Sequence, residues 1–298
     1  MPEYPEDLRE LVDAYLDGLS FSTATRTGGL QEAMRYSLLA GGKRIRPVLC
    51  LGTARATGLS PESVLPVAAG IELIHTYSLI HDDLPAMDDD DMRRGRPTSH
   101  VVYGEDVAIL TGDGLFAEAL RLVSERQEGE PQRVLAALAE LSRATGVNGM
   151  VGGQYIDVTL PGASRSSGDR DADAESLRDL HSLKTGRLIA ASVGVSLTLG
   201  GVEGAEADAY REYADELGVL FQIVDDILDV TGSDEELGKP SGSDARHDKL
   251  TYVSLFGLDR ARELASESHA KARGALSRTA GDPSDLQSIT DFIYTRHA

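Results

Sequence analysis

The segment DELGVLFQIVDDILDVTG, residues 215–232, constrains the fold of this chain more than any other stretch. No proline interrupts it and its apolar residues suit a helix, which we expect Gly232 to end. One edge of this helix would carry Gln222, Asp225, Asp226 and Asp229. A solvent-facing helix would pair such acids with Lys or Arg four residues away, and none is present. We therefore predict a buried helix whose carboxylates surround a metal ion.

The rest of the chain also predicts helices. Apolar residues recur at helical spacing, whereas alternating β-branched runs bounded by turns are nearly absent. Loop-forming residues separate the helical stretches, and residues 161–173 are the best candidate for disorder. With 41% apolar residues, the chain can bury a core. We predict that residues 1–298 form a single all-α domain, a bundle of about ten or more helices.

Charge and cysteine content limit the possible partners and compartments. The net charge of −20 argues against nucleic acid or an anionic membrane surface as a partner, because both require basic patches. Cys50 is the only cysteine, which excludes an intramolecular disulfide and favours a reducing compartment. The acidic N-terminus lacks the features of a signal peptide, and apolar runs fall short of about 18 residues. These features predict a cytoplasmic protein without a transmembrane segment.

A second acidic cluster occupies residues 71–100, IELIHTYSLIHDDLPAMDDDDMRRGRPTSH. Helix-compatible sequence leads to Asp82 and Asp83, and Pro85 makes continuation of the helix unfavourable. Asp88 then lies on a loop, which we expect to return toward Asp82. Clustered carboxylates repel one another unless a cation lies among them, and oxygen ligands favour hard metals such as Mg²⁺. The arginines that follow suit phosphate oxygens, so the segment predicts a diphosphate site.

Four further segments carry candidate site residues. Residues 40–47, AGGKRIRP, form a glycine turn whose cations either are solvated or bind an anion. Glycines within TGVNGMVGGQYIDV (145–158) indicate close helix packing or room for a ligand. Residues 180–193, LHSLKTGRLIAASV, suggest a local opening of the helix that turns Lys184 into a polar pocket, with a surface lysine as the alternative. The loop after Gly232 carries Lys239 and Lys249 and is predicted to be a mobile flap.

Together these motifs resemble the short-chain trans-polyprenyl diphosphate synthases, most of all the bacterial farnesyl diphosphate synthases. DDLPAMD (82–88) followed by RRGRP, and DDILD (225–229), are similar to the two aspartate-rich motifs of that family. GGKRIRP, HTYSLIHDD, GGQ, KTG and GKP match the accompanying motifs in the same order. The resemblance implies an all-α bundle around a deep central cavity, a homodimer, and head-to-tail condensation of isopentenyl diphosphate with an allylic diphosphate.

The resemblance also implies roles for individual residues. Mg²⁺, as three ions that Mn²⁺ could replace, would be held by Asp82, Asp83, Asp88, Asp225, Asp226 and Asp229. The allylic diphosphate would contact Arg93, Lys184, Thr185, Gln222 and Lys239. Isopentenyl diphosphate would contact Lys43, Arg46, His75 and Arg94. The residues fit an ionisation mechanism, because metal and cationic side chains stabilise a departing diphosphate and the motifs contain no candidate nucleophile.

Product length is predicted from the helix that precedes Asp82. A growing prenyl tail would run along this helix, where Tyr77 would block it and Ser78 is small. An aromatic residue there, with four residues between Asp83 and Asp88, resembles the farnesyl diphosphate synthases, so we expect a C15 product. Geranylgeranyl diphosphate is the alternative product.

Other classes of protein fit the sequence less well. A class I terpene cyclase or a squalene-synthase-like enzyme needs no second diphosphate anchor, which the GGKRIRP motif and the paired arginines would provide. A divalent-metal buffer is disfavoured because the EF-hand pattern is missing. An inactive regulatory subunit is disfavoured because both aspartate motifs are complete. The sequence leaves the role of Arg296 open.

Overall fold

The protein is built from α-helices, as the sequence predicts, and the computed structural model describes residues 4–159, 169–232 and 249–296. The first eight helices are α1 Glu6–Asp17, α2 Gly28–Leu38, α3 Ile45–Ala56, α4 Leu65–Asp82, α5 Ser99–Tyr103, α6 Glu105–Arg126, α7 Pro131–Thr145 and α8 Met150–Thr159. The others are α9 Arg170–His181, α10 Arg187–Gly200, α11 Gly204–Thr231, α12 Tyr252–Phe256, α13 Leu258–Leu276 and α14 Ser284–Thr295. Short 3₁₀ turns span Thr25–Thr27 and Pro61–Val64, and a π-helical segment spans Ser182–Gly186.

The core lies around α3, α4, α10 and α11. Helix α4 packs mainly against α6 and α3, while α10 packs against α7, α3 and α11. Pro66 stands in the first turn of α4, where its missing N–H costs no hydrogen bond, so it begins this helix. By length and composition alone, the stretch Pro61–Asp82 could cross a membrane. However, 67% of its most apolar window is buried inside the protein, as expected of a core helix.

Helix α11 confirms that residues 215–232 form a helix ended by Gly232, while the metal ion among its carboxylates stays a prediction. It ends at Thr231 with Gly232 as its C-cap, and it begins at Gly204, one long helix of 28 residues. Tyr210 and Tyr213 are fully buried in its first half, where the helix packs against α13 and α10. Tyr213 donates a hydrogen bond to the carbonyl of Leu286 at 3.2 Å, which joins α11 to α14.

Glycines allow two helices, α8 and α11, to pack closely against the π-helical segment. A Cβ built on Gly153 of α8 would lie 2.3 Å from the backbone nitrogen of Lys184. A Cβ on Gly218 of α11 would lie 3.1 Å from the Cα atom of Gly186. The glycines of 145–158 therefore include one that serves close packing, the first of the two interpretations given for that segment. The π segment is the local opening of the helix that the KTG motif predicts.

Two local features differ from expectation. Residues 170–173 belong to α9, so the prediction of disorder over 161–173 is wrong for that part, and residues 160–168 lie outside the described chain. A minimal antiparallel hairpin, β1 Met92–Arg93 and β2 Arg96–Pro97, follows the first aspartate cluster. Arg94 takes a left-handed φ of 52° and Gly95 a φ of 71° in its turn, which is the geometry that tight two-residue hairpins require.

Candidate active site

A cavity of about 390 Å³ opens between α4, α8 and the π segment. Its walls include these predicted site residues: Arg46, His75, Tyr77, Ser78, Asp82, Lys184 and Thr185. Apolar side chains of α8 complete the wall opposite Ser78. A larger groove of about 730 Å³ lies between α7, α10 and α11, but the described residues that line it include none of the predicted site residues. The smaller cavity is therefore the candidate active site.

Asp82 stands at the cavity wall among opposing electrostatic influences. Burial raises the pKa of its carboxyl to about 6; Lys184 opposes this shift, whereas the nearby carboxylate of Asp88 adds to it. The backbone N–H of Asp88 donates to the carbonyl of Asp82 at 2.9 Å, so the loop returns toward the helix as the sequence predicts. Lys249 lies 3.3 Å from a carboxylate oxygen of Asp88. This end of the cavity thus brings together acids that only a cation can fully neutralise.

Asp83 points elsewhere than Asp82. It is 3% exposed and accepts a hydrogen bond of 2.6 Å from Nε of Arg93. Arg93 also lies 3.7 Å from Asp90. Burial opposes the charge on Arg93, but its carboxylate neighbours outweigh burial and raise its pKa. The pair fastens the hairpin to the end of α4, so both residues have protein partners in this structure.

In the second aspartate cluster, neighbouring carboxylates also differ in their environment. Asp225 is exposed, whereas Asp226 is 2% exposed. One carboxylate oxygen of Asp226 accepts from Nε2 of Gln222 at 2.9 Å and the other from the backbone N–H of Tyr252 at 2.8 Å. Gln222 in turn accepts a hydrogen bond of 3.2 Å from Thr185 in the cavity wall. A chain of hydrogen bonds therefore links the cavity to α11 and α12.

The lysine of the KTG motif points into the cavity and is already paired. Its Nζ lies 2.6 Å from Oδ2 of Asp157, whose side chain is only 8% exposed. Burial opposes the charge on Lys184, but Asp82 and Asp157 outweigh it and raise the pKa. Lys184 is therefore a fixed cation at the acidic end of the cavity.

The carboxylates fit Mg²⁺ only in part as a protein site. Asp82 and Asp88 are hard oxygen donors close to one another, which suits this ion. Within residues 4–159, 169–232 and 249–296, however, His, Cys, Asp and Glu form no group of three arranged to hold a metal. Mg²⁺ characteristically takes one or two carboxylates and completes its shell with water and substrate phosphates. The donors present therefore match a metal that binds together with a phosphorylated substrate.

A cationic cluster adjoins the cavity: Arg46 and His75 line it, and Arg94 lines a separate small pocket that shares Leu79 with it. We call Lys43, Arg46, His75 and Arg94 the cationic cradle. Nζ of Lys43 lies 5.1 Å from the ring centre of Phe292 in α14, and the guanidinium of Arg46 lies 5.8 Å from that of Phe221 in α11. Such rings stabilise cations in the absence of an anion.

One contact joins two members of the cradle, and another joins Arg94 to the glycine turn that carries Lys43. Arg46 contacts His75 through Nη1 and Nε2 at 3.3 Å. Arg94 donates to the carbonyl of Gly41, and its guanidinium lies across Gly42, where a Cβ would come within 2.9 Å of it. Gly42 has a φ of 121°, so the turn requires glycine for its backbone as well.

The electrostatic environment of the cradle favours the binding of an anion. Burial, together with the neighbouring arginines, lowers the pKa of His75 well below its usual value, so its ring is neutral near pH 7. Burial lowers the pKa of Arg46 to about 10, while Glu72 and Asp225 act in the opposite direction. Burial also lowers the pKa of Arg94. Several mutually repelling cations gain stability when an anion enters among them.

Sequence reasoning missed the partners that hold the site residues. These partners are distant in sequence from the side chains that they support, and the residues next to them form no recognisable motif. They are Asp157, Glu72, Phe221 and Phe292. The predicted role of Lys239 lies outside the described residues, as does GKP. Tyr252 contributes only a backbone N–H, which leaves no signal in the sequence.

Fold and site together define a prenyltransferase of the all-α kind. The chain belongs to the polyprenyl synthetase family, whose model, described as "Polyprenyl synthetase", matches residues 28–292.

Named relatives show the same class with different products. A chloroplastic geranylgeranyl pyrophosphate synthase of Capsicum annuum is 45% identical over 272 residues, which span 90% of this chain and 71% of that protein. A geranyltransferase structure from Helicobacter pylori, complexed with magnesium and isoprenyl diphosphate, superimposes with a TM-score of 0.85 and 30% identity, covering 97% of this chain and 96% of that one. An FPP/GFPP synthase structure from Zymomonas mobilis gives a TM-score of 0.82 and 34% identity, covering 97% of each chain.

Proposed function

We propose that this prenyltransferase joins isopentenyl diphosphate to an allylic diphosphate, head to tail, and that its final product is geranylgeranyl diphosphate. The carrying observation is one cavity lined by both acidic and cationic groups. Asp82, with Asp88 close to it, and Lys184 belong to one group, and Arg46 and His75 of the cationic cradle line the same cavity. One diphosphate bound with metal and a second bound by cations alone need such a division.

The residues have distinct tasks in the proposed reaction. Mg²⁺ bound at Asp82 and Asp88 would neutralise charge on the departing diphosphate. The similar Helicobacter pylori geranyltransferase structure contains both magnesium and isoprenyl diphosphate. Lys184 adds a fixed positive charge to the same leaving group. The allylic carbon–oxygen bond breaks and diphosphate leaves with the electron pair. The double bond of isopentenyl diphosphate attacks the allylic carbon, and the new cation loses a proton to the released diphosphate, which restores a double bond. Arg46, with the rest of the cradle, holds the attacking substrate in place.

The product assignment rests on the relatives and on the cavity. The Capsicum annuum protein is named a geranylgeranyl pyrophosphate synthase, which favours a C20 product over our sequence-based expectation of C15. Farnesyl diphosphate is the second candidate, because Tyr77 does line the cavity. Its ring meets those of Phe116 and His81 edge to face, at centroid distances of 5.4 and 5.6 Å. Tyr77 is thus held in place as a bulky group beside Ser78.

One assay tests the reaction and its product. The purified protein is incubated with Mg²⁺, labelled isopentenyl diphosphate and, in turn, C5, C10 and C15 allylic primers. We expect label in geranylgeranyl diphosphate with each primer. Farnesyl diphosphate as the end product, with the C15 primer unused, would select the second candidate. Products formed from an allylic diphosphate without isopentenyl diphosphate would indicate a terpene cyclase instead.

Replacing Tyr77 by alanine tests the chain-length assignment. We expect products longer than those of the wild type by one or more C5 units, because the ring that limits the tail is removed. The products are measured by chromatography after removal of the diphosphate. Tyr103→Ala serves as the control, since Tyr103 packs against Tyr36 outside the cavity. Unchanged product length in Tyr77→Ala would show that another residue forms the floor.

We further propose a homodimer in the cytoplasm. Helix α6 exposes Ile109 and Leu110, with 44% and 55% of their surfaces accessible, and α5 exposes Val101 and Val102. Apolar clusters of this kind commonly mark subunit interfaces. The buried, unpaired Cys50 fits a reducing compartment, although the plant relatives are named as chloroplastic. Light scattering of the purified protein tests the dimer.

A further inference from the structure

Arg44 lies inside the cationic turn but points away from the cavity. Lys43 and Arg46 flank it in the sequence, yet its side chain is only 2% exposed. The residue takes a left-handed φ of 53°, a conformation that residues other than glycine adopt rarely because of their Cβ atom. The turn therefore contains one arginine whose task is internal to the protein.

Three acceptors surround the Arg44 guanidinium. Nη1 donates to Glu72 at 2.7 Å, Nη2 to the carbonyl of Leu38 at 2.8 Å, and Nε to Asp13 at 2.9 Å. These acceptors come from α4, α2 and α1, so a single side chain ties the turn to three helices. A planar guanidinium with several fixed donors suits this task, and a lysine in its place would not reach all three acceptors.

Glu72 connects this arrangement to the cradle. Its side chain is also 2% exposed, and it lies on α4 three residues before His75, hence on the same side of that helix. Its charge raises the pKa of Arg46 and of Arg94 against the larger effect of burial. Glu72 is thus hydrogen-bonded to Arg44 and acts electrostatically on two members of the cradle. A change in the position of Glu72 would therefore affect both the turn and helix α4.

Stability alone does not explain a buried ion pair in this place. Removing two charges from water is costly, and apolar residues of similar volume often serve a core equally well. What such a pair provides is a defined geometry, because its hydrogen bonds fix one arrangement of the chain. The geometry fixed here is the position of Lys43 and Arg46 relative to His75.

We propose that Arg44 and Glu72 are positioning residues that set the geometry of the cationic cradle, and thereby the affinity for the diphosphate of the non-allylic substrate. The inference rests on the proposed function, in which the cradle binds isopentenyl diphosphate. Neither side chain touches the substrate, since both are buried behind the turn.

Steady-state kinetics of Glu72→Gln test the proposal. We expect the KM for isopentenyl diphosphate to rise on the order of 10- to 100-fold, the scale on which misplaced binding groups act. The KM for the allylic substrate and kcat at saturation should stay within about twofold, because the acidic end of the cavity is untouched. Arg44→Gln should give the same pattern, and the double variant should be no worse than either single variant, because the two residues act as a unit.

Two further variants keep the test decisive. Glu140→Gln is the matched control. Glu140 forms an ion pair of 3.0 Å with Arg211, and neither residue belongs to the cradle. The KM values of this variant should match those of the wild type. Asp13→Asn weakens the Arg44 arrangement from its more exposed side and is expected to fold even if Glu72→Gln does not. It should raise the same KM by a smaller factor.

The outcomes separate the inference from the proposed function. A lower melting temperature with an unchanged KM for isopentenyl diphosphate, in Glu72→Gln or in Asp13→Asn, would make the pair merely structural and overturn the proposal. A wild-type protein that does not incorporate isopentenyl diphosphate would instead refute the proposed function.

Discussion

We expect Asp82→Asn to lower kcat on the order of 10³-fold while the protein stays folded. The carboxylate lies in the cavity wall beside Asp88 and Lys184, where we propose that Mg²⁺ binds with the allylic diphosphate. An amide is a weaker metal ligand than a carboxylate, and loss of metal-assisted charge stabilisation is worth several kcal/mol of barrier. Activity at increasing Mg²⁺ measures the effect, and half-saturation should require more Mg²⁺ than in the wild type.

The folding of the same variant gives an independent check. Burial raises the pKa of Asp82 to about 6 in the folded protein. At pH 7.5 the ionised form therefore opposes folding. This unfavourable contribution decreases as the pH falls through the raised pKa and is gone only below the unfolded-state pKa of about 3.8. The neutral asparagine removes it, so we expect an equal or higher melting temperature at pH 7.5 without metal.

Asp91→Asn is the matched control for Asp82→Asn. Its side chain is 81% exposed on the acidic loop that follows α4, so its replacement should leave kcat and the Mg²⁺ requirement unchanged. Equal losses in the two variants would mean that the loop as a whole, and not a metal ligand, matters. Wild-type activity in Asp82→Asn would remove Asp82 from the metal site.

Gly153→Ala is expected to reduce activity about 100-fold and to destabilise the protein. The new methyl group would lie 2.3 Å from the backbone nitrogen and 2.6 Å from Cα of Lys184, where backbone must move to make room. Overpacking of this kind costs about 1–3 kcal/mol of stability. A displacement of the π segment by about 1 Å would misplace Lys184 and Thr185, a scale at which rates fall about 100-fold. Thermal unfolding and kcat are measured on the same preparation.

Gly274→Ala shows what alanine does without a clash. Gly274 is in helix α13 with no atom within 4 Å of a built Cβ, and alanine there should stabilise the helix by about 1 kcal/mol. Its kcat should equal that of the wild type. A Gly153→Ala variant as stable and active as Gly274→Ala would show that the π segment tolerates movement, contrary to our interpretation.

The fold could be predicted from the sequence where local patterns are strong. The lack of lysine or arginine among the acids of 215–232 correctly predicts a buried helix, because desolvation penalises unpaired charges. Glycine spacing and the KTG motif likewise indicate the tight packing and the opening of the helix around Lys184. Their signals lie within a few residues of the feature itself.

The missing information concerns contacts between distant segments. Six aspartates look equivalent in the sequence, yet Asp83 and Asp226 accept hydrogen bonds from Arg93 and Tyr252, while Asp82 lines the cavity. A helical wheel gives the direction of a side chain but not the neighbour it meets. The pairing of Arg44 with Glu72 could not be predicted for the same reason, because it depends on how α3 and α4 pack.

The support of Lys43 by Phe292 has a consequence for biosynthesis. Phe292 lies in the last described helix, and its ring meets that of Tyr4 edge to face at a centroid distance of 4.9 Å. Tyr4 also donates a hydrogen bond of 2.7 Å to the carbonyl of Lys43. A nascent chain therefore cannot complete this anchor until α14 has emerged from the ribosome, since the contact joins segments made at opposite ends of translation. Until then, the ammonium group of Lys43 lacks its contact with the ring of Phe292.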